Sequence, residues 1–195
     1  MRGRAVWITG LPGAGKSTVA KAVHDALLRL GVDAVWLRMD ERRKAYFPKP
    51  DYSDRERESA YRMFVDEAAG LAAQGKTVLM DATAHKLIWR DLARQRIPDF
   101  AEVALLCPLE TAMQREAGRP GGLVMADLYA KAIERRRTGR EFPGLGPMVG
   151  VDVAFEPNPD AELVLNAGTL GKDELRDRVL DLILSKRPRA RQGDE

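Results

Sequence analysis

Most of what marks a secreted, membrane-spanning or fibrous protein is missing from this sequence. It has a single cysteine, Cys107, so no internal disulfide can form. That residue lies in an apolar run, where packing suits it better than chemistry. No stretch approaches the ~20 apolar residues of a membrane span. The apolar run after Met1-Arg2-Gly3-Arg4 is too short for a secretory leader, which predicts a cytoplasmic protein with no membrane partner. With two histidines and one cysteine there is no cluster of the kind that builds a structural metal centre. Charge of one sign is also scarce: 32 basic and 29 acidic residues leave a net charge of +3, so nucleic acid is not an expected partner. No internal repeat is found. What remains is 195 residues, 45% hydrophobic and 31% charged. That suits one domain with a substantial core, expected over residues 1–185, and a charged, frayed tail over 186–195.

Strand-like and helix-like segments alternate along the chain. Residues 5–9 read as a buried strand stopping at Gly10. The helical spacing of Val19, Val23, Ala26, Leu27 and Leu30 ends at Gly31. A second strand over 34–39 ends at Asp40, a proline-bearing loop spans 47–53, and a long helix covers 54–74. A third strand, 77–80, ends at Asp81, and the next helix, 87–96, stops before Pro98. A fourth strand is expected over 103–107, with Pro108 at the first position of a helix reaching Ala117. Gly118 to Gly122 interrupts the chain before a helix over 125–137. The Gly/Pro-rich residues 142–147 are irregular enough to suggest a lid, placed overall at about 118–150. A fifth strand at 163–165 and a helix at 174–184 complete the pattern. Such alternation predicts an α/β fold: a five-stranded parallel sheet flanked by helices, with ligands outside the carboxyl ends of the strands.

The loop after the first strand carries the strongest chemical signal. Gly10-Leu11-Pro12-Gly13-Ala14-Gly15-Lys16-Ser17 fits G-x-x-x-x-G-K-[ST], and it sits between a strand and a helix, the context that gives the pattern meaning. Glycines let main-chain N–H groups close on phosphate oxygens, and the helix amino terminus favours negative charge. Lys16 is expected to bridge the β- and γ-phosphates of ATP, Ser17 to ligate magnesium, and Thr18 to touch the α-phosphate. His24, in the following helix, is expected to have an ordinary structural role.

Asp40 and Asp81 fall at two strand ends, where a γ-phosphate would meet its acceptor. We assign Asp40 as the base and Asp81 as the magnesium partner, with helix capping as the alternative for each. Thr83, Arg62 and Arg90 stand where an anionic acceptor would be met. Arg135, Arg136, Arg137 and Arg140 could close on phosphates or merely decorate a helix end. His85 is either an acceptor contact or an unremarkable loop residue.

Several stretches together, in order and spacing, resemble the adenylylsulfate kinase family: Gly10 to Ser17, Asp40-Glu41-Arg42-Arg43, residues 127–132, Phe142-Pro143-Gly144, and residues 155–159. The resemblance covers nearly the whole chain. It implies a P-loop kinase of sulfate assimilation, usually dimeric, that uses ATP and magnesium to phosphorylate the 3'-hydroxyl of adenosine 5'-phosphosulfate. By the same resemblance Asp40 lies near the acceptor hydroxyl and Arg43 binds substrate. Lys131 is the lid lysine, counted with Lys16 and Asp40 as catalytic, Phe142 stacks on the substrate adenine, and Arg115 packs near the ATP base. Departures cluster on the acceptor side. The family's Asp-Gly-Asp is Arg38-Met39-Asp40 here, its Asn-x-Arg-Arg is Ala60-Tyr61-Arg62-Met63, and its Ile-Ser-Pro is Thr83-Ala84-His85. The third strand resembles the Asp-x-Thr strand ends of gluconate-kinase and polynucleotide-kinase relatives. A different small anionic, hydroxyl-bearing acceptor therefore stays open, as do a polynucleotide 5'-kinase and a non-catalytic nucleotide-binding module. The sequence has no evident base-stacking platform for the polynucleotide reading, and the gathered acids and Lys131 argue against the non-catalytic one.

Overall fold

The computed structural model describes residues 3–50, 53–118 and 126–185. The five strands are β1 (Arg4–Gly10), β2 (Ala34–Arg38), β3 (Thr77–Asp81), β4 (Phe100–Leu106) and β5 (Leu163–Asn166). They form one all-parallel sheet in the order β2-β3-β1-β4-β5. Seven helices are described: α1 (Lys16–Arg29), α2 (Met39–Tyr46), α3 (Asp54–Ala73), α4 (Leu87–Arg96), α5 (Leu109–Ala117), α6 (Leu128–Thr138) and α7 (Lys172–Leu184).

The period-two geometry of β1 divides the core. Ala5 and Trp7 point to one face, where they join Tyr61, Phe64, Val65 and Ala68 of α3 and Trp89 and Ala93 of α4. Val6 and Ile8 point to the other, against Val19, Val23 and Leu27 of α1 and Leu175, Val179 and Ile183 of α7. Both faces being covered, the strands read as apolar runs rather than alternations. A third cluster, centred on Tyr129, Ala132, Leu145 and Met148, seats α6 and the residues after it. Among the described residues, no helix is long and apolar enough to cross a membrane.

The structure moves some expected boundaries. β4 starts at Phe100, ahead of the expected 103, because Glu102 breaks the apolar pattern; its carboxylate is fully buried and faces Arg90 at 3.3 Å. α2 is an addition, a helix of mostly charged residues that buries only Met39 and Arg43. Pro108 precedes α5 with extended ψ, 138°, and so caps it instead of opening it. The sixth helix begins at Leu128 and ends at Gly139 in the left-handed region, φ 74°. Part of the expected Gly118–Gly122 break, the start of that helix at 125, and the tail 186–195 lie outside the described residues.

Candidate active site

β1 is central, so the turn that follows it opens at the middle of the sheet's carboxyl edge. Gly13 and Gly15 take φ of 83° and 92°, the left-handed region that glycine adopts without strain. At Gly13 a side chain is also excluded sterically, since a Cβ would lie 2.1 Å from the Ala112 carbonyl oxygen. Gly15 caps α1 with no side-chain hydrogen bond, and the first turn of α1 carries no acid. Its amino-terminal N–H groups are thus presented to an outside anion. Lys16 donates from Nζ to the Leu11 carbonyl oxygen at 2.9 Å, which folds the ammonium back over the loop.

Beside this loop lies a cavity of about 200 Å³. Lys16, Ser17, Asp40, Arg43, Asp81 and Thr83 line it together, although they come from three separate stretches of chain. β3 delivers Asp81 to the bottom of the cavity, 6% exposed. Burial pushes its carboxyl well above the usual range; Lys16 and a hydrogen bond from the Ser17 hydroxyl pull it back, and Asp40 pushes it further up. Asp40 stands in the first turn of α2, exposed toward the opening. Arg43, one turn later, is held by Glu56 of α3 at 2.9 Å. Thr83 is fixed through its carbonyl oxygen, which accepts from Thr9 Oγ1 at 2.5 Å.

Arg57 and His85 line the same cavity. Arg57 was not among the expected site residues, since in Asp54-Arg55-Glu56-Arg57-Glu58 it looks like one more surface charge. The available signal was its position one turn before the inward-facing Tyr61. Arg57 is half-buried, donates to the Pro147 carbonyl oxygen at 3.2 Å, and has its pKa lowered by burial. The far wall comes from residues 144–149.

Other expected site residues are elsewhere. Arg90 is fully buried under α4, paired with Glu102 and donating to the Glu156 carbonyl oxygen. It cannot meet a substrate and is corrected to a structural residue. Arg62 is exposed, bonded to Glu58 at 2.9 Å and lying 5.8 Å over the Trp89 ring. It does not line the cavity that Tyr61 faces, because α3 turns it away. Lys131 donates to the Ala126 carbonyl oxygen at 2.6 Å, and Phe142 packs in the third cluster beneath Arg140; neither lines the cavity. Arg115 lies beyond the phosphate loop, donating to the Ala167 carbonyl oxygen at 2.9 Å. Arg135 is tied to the carbonyl oxygens of Leu145 and Gly146 and to Asp152, Arg136 to the Val151 carbonyl oxygen, and Arg140 to Glu134. His24 bonds the Ala34 carbonyl oxygen at 3.2 Å, as an ordinary structural histidine would.

The family model for adenylylsulphate kinase matches residues 2–166. A probable adenylyl-sulfate kinase of Archaeoglobus fulgidus is 33% identical over 161 residues, covering 83% of this chain and 94% of that protein. The adenylyl-sulfate kinase of Escherichia coli is 34% identical over 186 residues, covering 93% of this chain and 83% of its own length. Among solved structures, the APS kinase of Mycobacterium tuberculosis in complex with AMPPNP and APS superposes with a TM-score of 0.79 at 30% identity. That match covers 94% of this chain and 99% of the other.

Proposed function

The chain belongs to the adenylylsulfate kinase family of ATP-dependent kinases, and from that membership we propose that it transfers the γ-phosphoryl group of ATP to the 3'-hydroxyl of adenosine 5'-phosphosulfate. The observation that carries this reading is the convergence of a phosphate loop, two carboxylates and two guanidiniums on one cavity. The 3'-oxygen attacks the γ-phosphorus and the bond from that phosphorus to the bridging oxygen breaks. ADP leaves with the electron pair, and the hydroxyl proton passes to Asp40. Such a transfer depends on position and charge neutralisation more than on covalent assistance.

Each side chain then has a task. The main-chain N–H groups of Gly10 and of Gly13 through Thr18 hold the phosphates, with Leu11, Pro12 and Ala14 shaping the bend, and Lys16 leaves the Leu11 carbonyl oxygen to bridge the β- and γ-groups. Arg43 and Arg57 hold the acceptor's anionic end, and Thr83 borders it. Arg115 is assigned to the ATP base. Lys131 and Phe142 reach the acceptor only if the lid shifts from the arrangement described above. The pairing of a buried carboxylate, Asp81, with the hydroxyl of Ser17 fits magnesium. Magnesium, when bound, would neutralise charge on the β- and γ-phosphates.

The test is ADP formation from ATP and magnesium with and without adenosine 5'-phosphosulfate. Release that depends on the acceptor is expected. Release at the same slow rate in both, from protein that binds ATP, would remove this acceptor and call for a screen of other anionic alcohols.

A further inference from the structure

The short loop that follows β3 is held in place with unusual thoroughness. Ala84 adopts φ 40°, in the left-handed region that a residue with a side chain enters only at a cost. Four backbone groups around it are tied down. The Thr83 carbonyl oxygen accepts from Thr9, the Ala84 N–H donates to the Tyr61 hydroxyl at 2.8 Å, and the His85 carbonyl oxygen accepts from the Glu156 N–H at 2.7 Å. The Leu87 N–H donates to the Glu156 carboxylate at 2.7 Å. Strain of this kind persists only where surrounding contacts over-determine it, and it gathers at binding sites.

What the clamped loop presents is His85. The residue is 5% exposed and lines the cavity, yet its ring forms no hydrogen bond among the described residues. Buried side-chain atoms left without a partner occur on Trp36, Arg90, Asp99 and Glu102, and not on His85. The little exposure His85 keeps goes with its place in the cavity lining. A ring nitrogen that no protein group engages, at the wall of a cavity, is available to a ligand held there. The charged groups facing it are Arg57 of α3, Lys86, Glu156 and Asp54. Burial first, then Arg57 and Lys86, hold its pKa down to about 4, against weaker opposite pulls from Glu156 and Asp54, so the ring is neutral at pH 7. A neutral imidazole keeps one N–H to donate, and an anion held by Arg43 and Arg57 would supply the acceptor oxygen.

We propose that His85 is a specificity-determining contact of the acceptor site, donating a hydrogen bond to an oxygen of the acceptor's anionic group beside Arg57. The inference rests on the kinase reading given above and adds a residue to it. With the anion bound, the guanidinium's repulsion of a protonated ring is offset, so acceptor binding raises the pKa of His85.

Two readouts test it on the full chain. In His85→Ala the KM for adenosine 5'-phosphosulfate should rise about tenfold, as expected for loss of one charge-assisted hydrogen bond. The KM for ATP should stay within about twofold, and His85→Gln or His85→Asn should recover part of the loss. The chain has two histidines, so the His85 ring resonances are identified by their disappearance in the variant, with His24 as internal control. They should move, and titrate at higher pH, when adenosine 5'-phosphosulfate is added to the enzyme with magnesium and ADP. Normal turnover with unmoved resonances and an unchanged acceptor KM in a folded variant would overturn the role of His85 and leave the kinase reading standing. An unmutated enzyme that forms no acceptor-dependent ADP, with resonances indifferent to that nucleotide, would overturn both.

Discussion

At Asp81 burial and chemistry pull in opposite directions. Its carboxyl is held above the ordinary 3.8 chiefly by desolvation, so the unliganded fold prefers the protonated form. The stabilisation from that preference is complete below pH 3.8 and is lost as pH rises through the elevated folded value. Ionising this carboxyl in the unliganded fold therefore costs stability. Asp81→Asn removes the charge and keeps an acceptor for the Ser17 hydroxyl. Scanning calorimetry without nucleotide should show a melting temperature higher by a few degrees, while steady-state turnover with ATP and magnesium should fall by roughly two orders of magnitude or more. A variant that melts lower, or keeps its activity, would contradict the assignment. His85 has the opposite sign. Its folded pKa is lowered from 6.5 to about 4, so its contribution is complete above pH 6.5 and is lost as pH falls toward about 4. Urea midpoints measured across that window should fall less steeply in His85→Gln than in the parent. Asp40 is tested by kinetics: Asp40→Asn should reduce kcat by about 10²- to 10⁴-fold with ATP affinity unchanged. Near-parental turnover would return Asp40 to a helix-start residue.

Among the elements, α6 shows how one buried carboxylate can seat a helix. Glu116 of α5, 2% exposed, accepts from the Leu128 N–H at 3.0 Å and the Tyr129 N–H at 3.5 Å, capping a helix whose own Asp127 makes no side-chain cap bond. Tyr129 in turn donates from its hydroxyl to the Pro12 carbonyl oxygen at 3.0 Å, joining the helix to the phosphate loop. Glu116→Ala orphans those N–H groups at a cost of ~1–3 kcal/mol, and hydrogen exchange should quicken in α6 before it does in the sheet. Uniform protection would show that the cap does not govern α6. Elements punctuated by glycine or proline were legible in the sequence, because a φ requirement or a missing N–H acts locally: α1 stops before Gly31, and α4 ends before Pro98. Elements whose identity depends on a distant partner were not. β4 hid behind Glu102, a buried carboxylate that accepts from Asn158 Nδ2 at 2.6 Å and faces Arg90 of α4 at 3.3 Å. α2 hid because its inward positions are Met39 and Arg43, the latter buried by virtue of Glu56. The correction of Arg90 has its own test. Removing one partner of a buried pair costs ~3–5 kcal/mol, whereas an apolar pair of similar size can restore stability. Arg90→Met alone should melt early, and Arg90→Met with Glu102→Leu should recover with an unchanged KM for the acceptor. A raised KM in the recovered double variant would put Arg90 back at the site.

For the whole molecule, the parallel order β2-β3-β1-β4-β5 brings the ends of β1, β2 and β3 side by side, and the cavity is their shared mouth. Alternation of strands and helices was sufficient to foresee that edge, and the phosphate loop to foresee its donor half. The rest of the cavity was only partly legible: Asp40 and Thr83 line it as their strand-end positions suggested and Arg43 as the family resemblance implied, while Arg62 and Arg90 do not. Which arginines face inward is decided by the rotation of α3 and by ion pairs across the sheet, and neither is written in local spacing. The central claim is that one cavity holds both the γ-phosphoryl group and the hydroxyl that receives it. The most direct measurement follows a label in the γ-phosphate of ATP, with magnesium and adenosine 5'-phosphosulfate, in the parent and in Lys16→Ala. The label should appear on the 3'-oxygen of the acceptor in step with ADP, and should fail to transfer in Lys16→Ala. Label that remains in ATP, or emerges as free phosphate at one rate with or without the acceptor, would contradict the account.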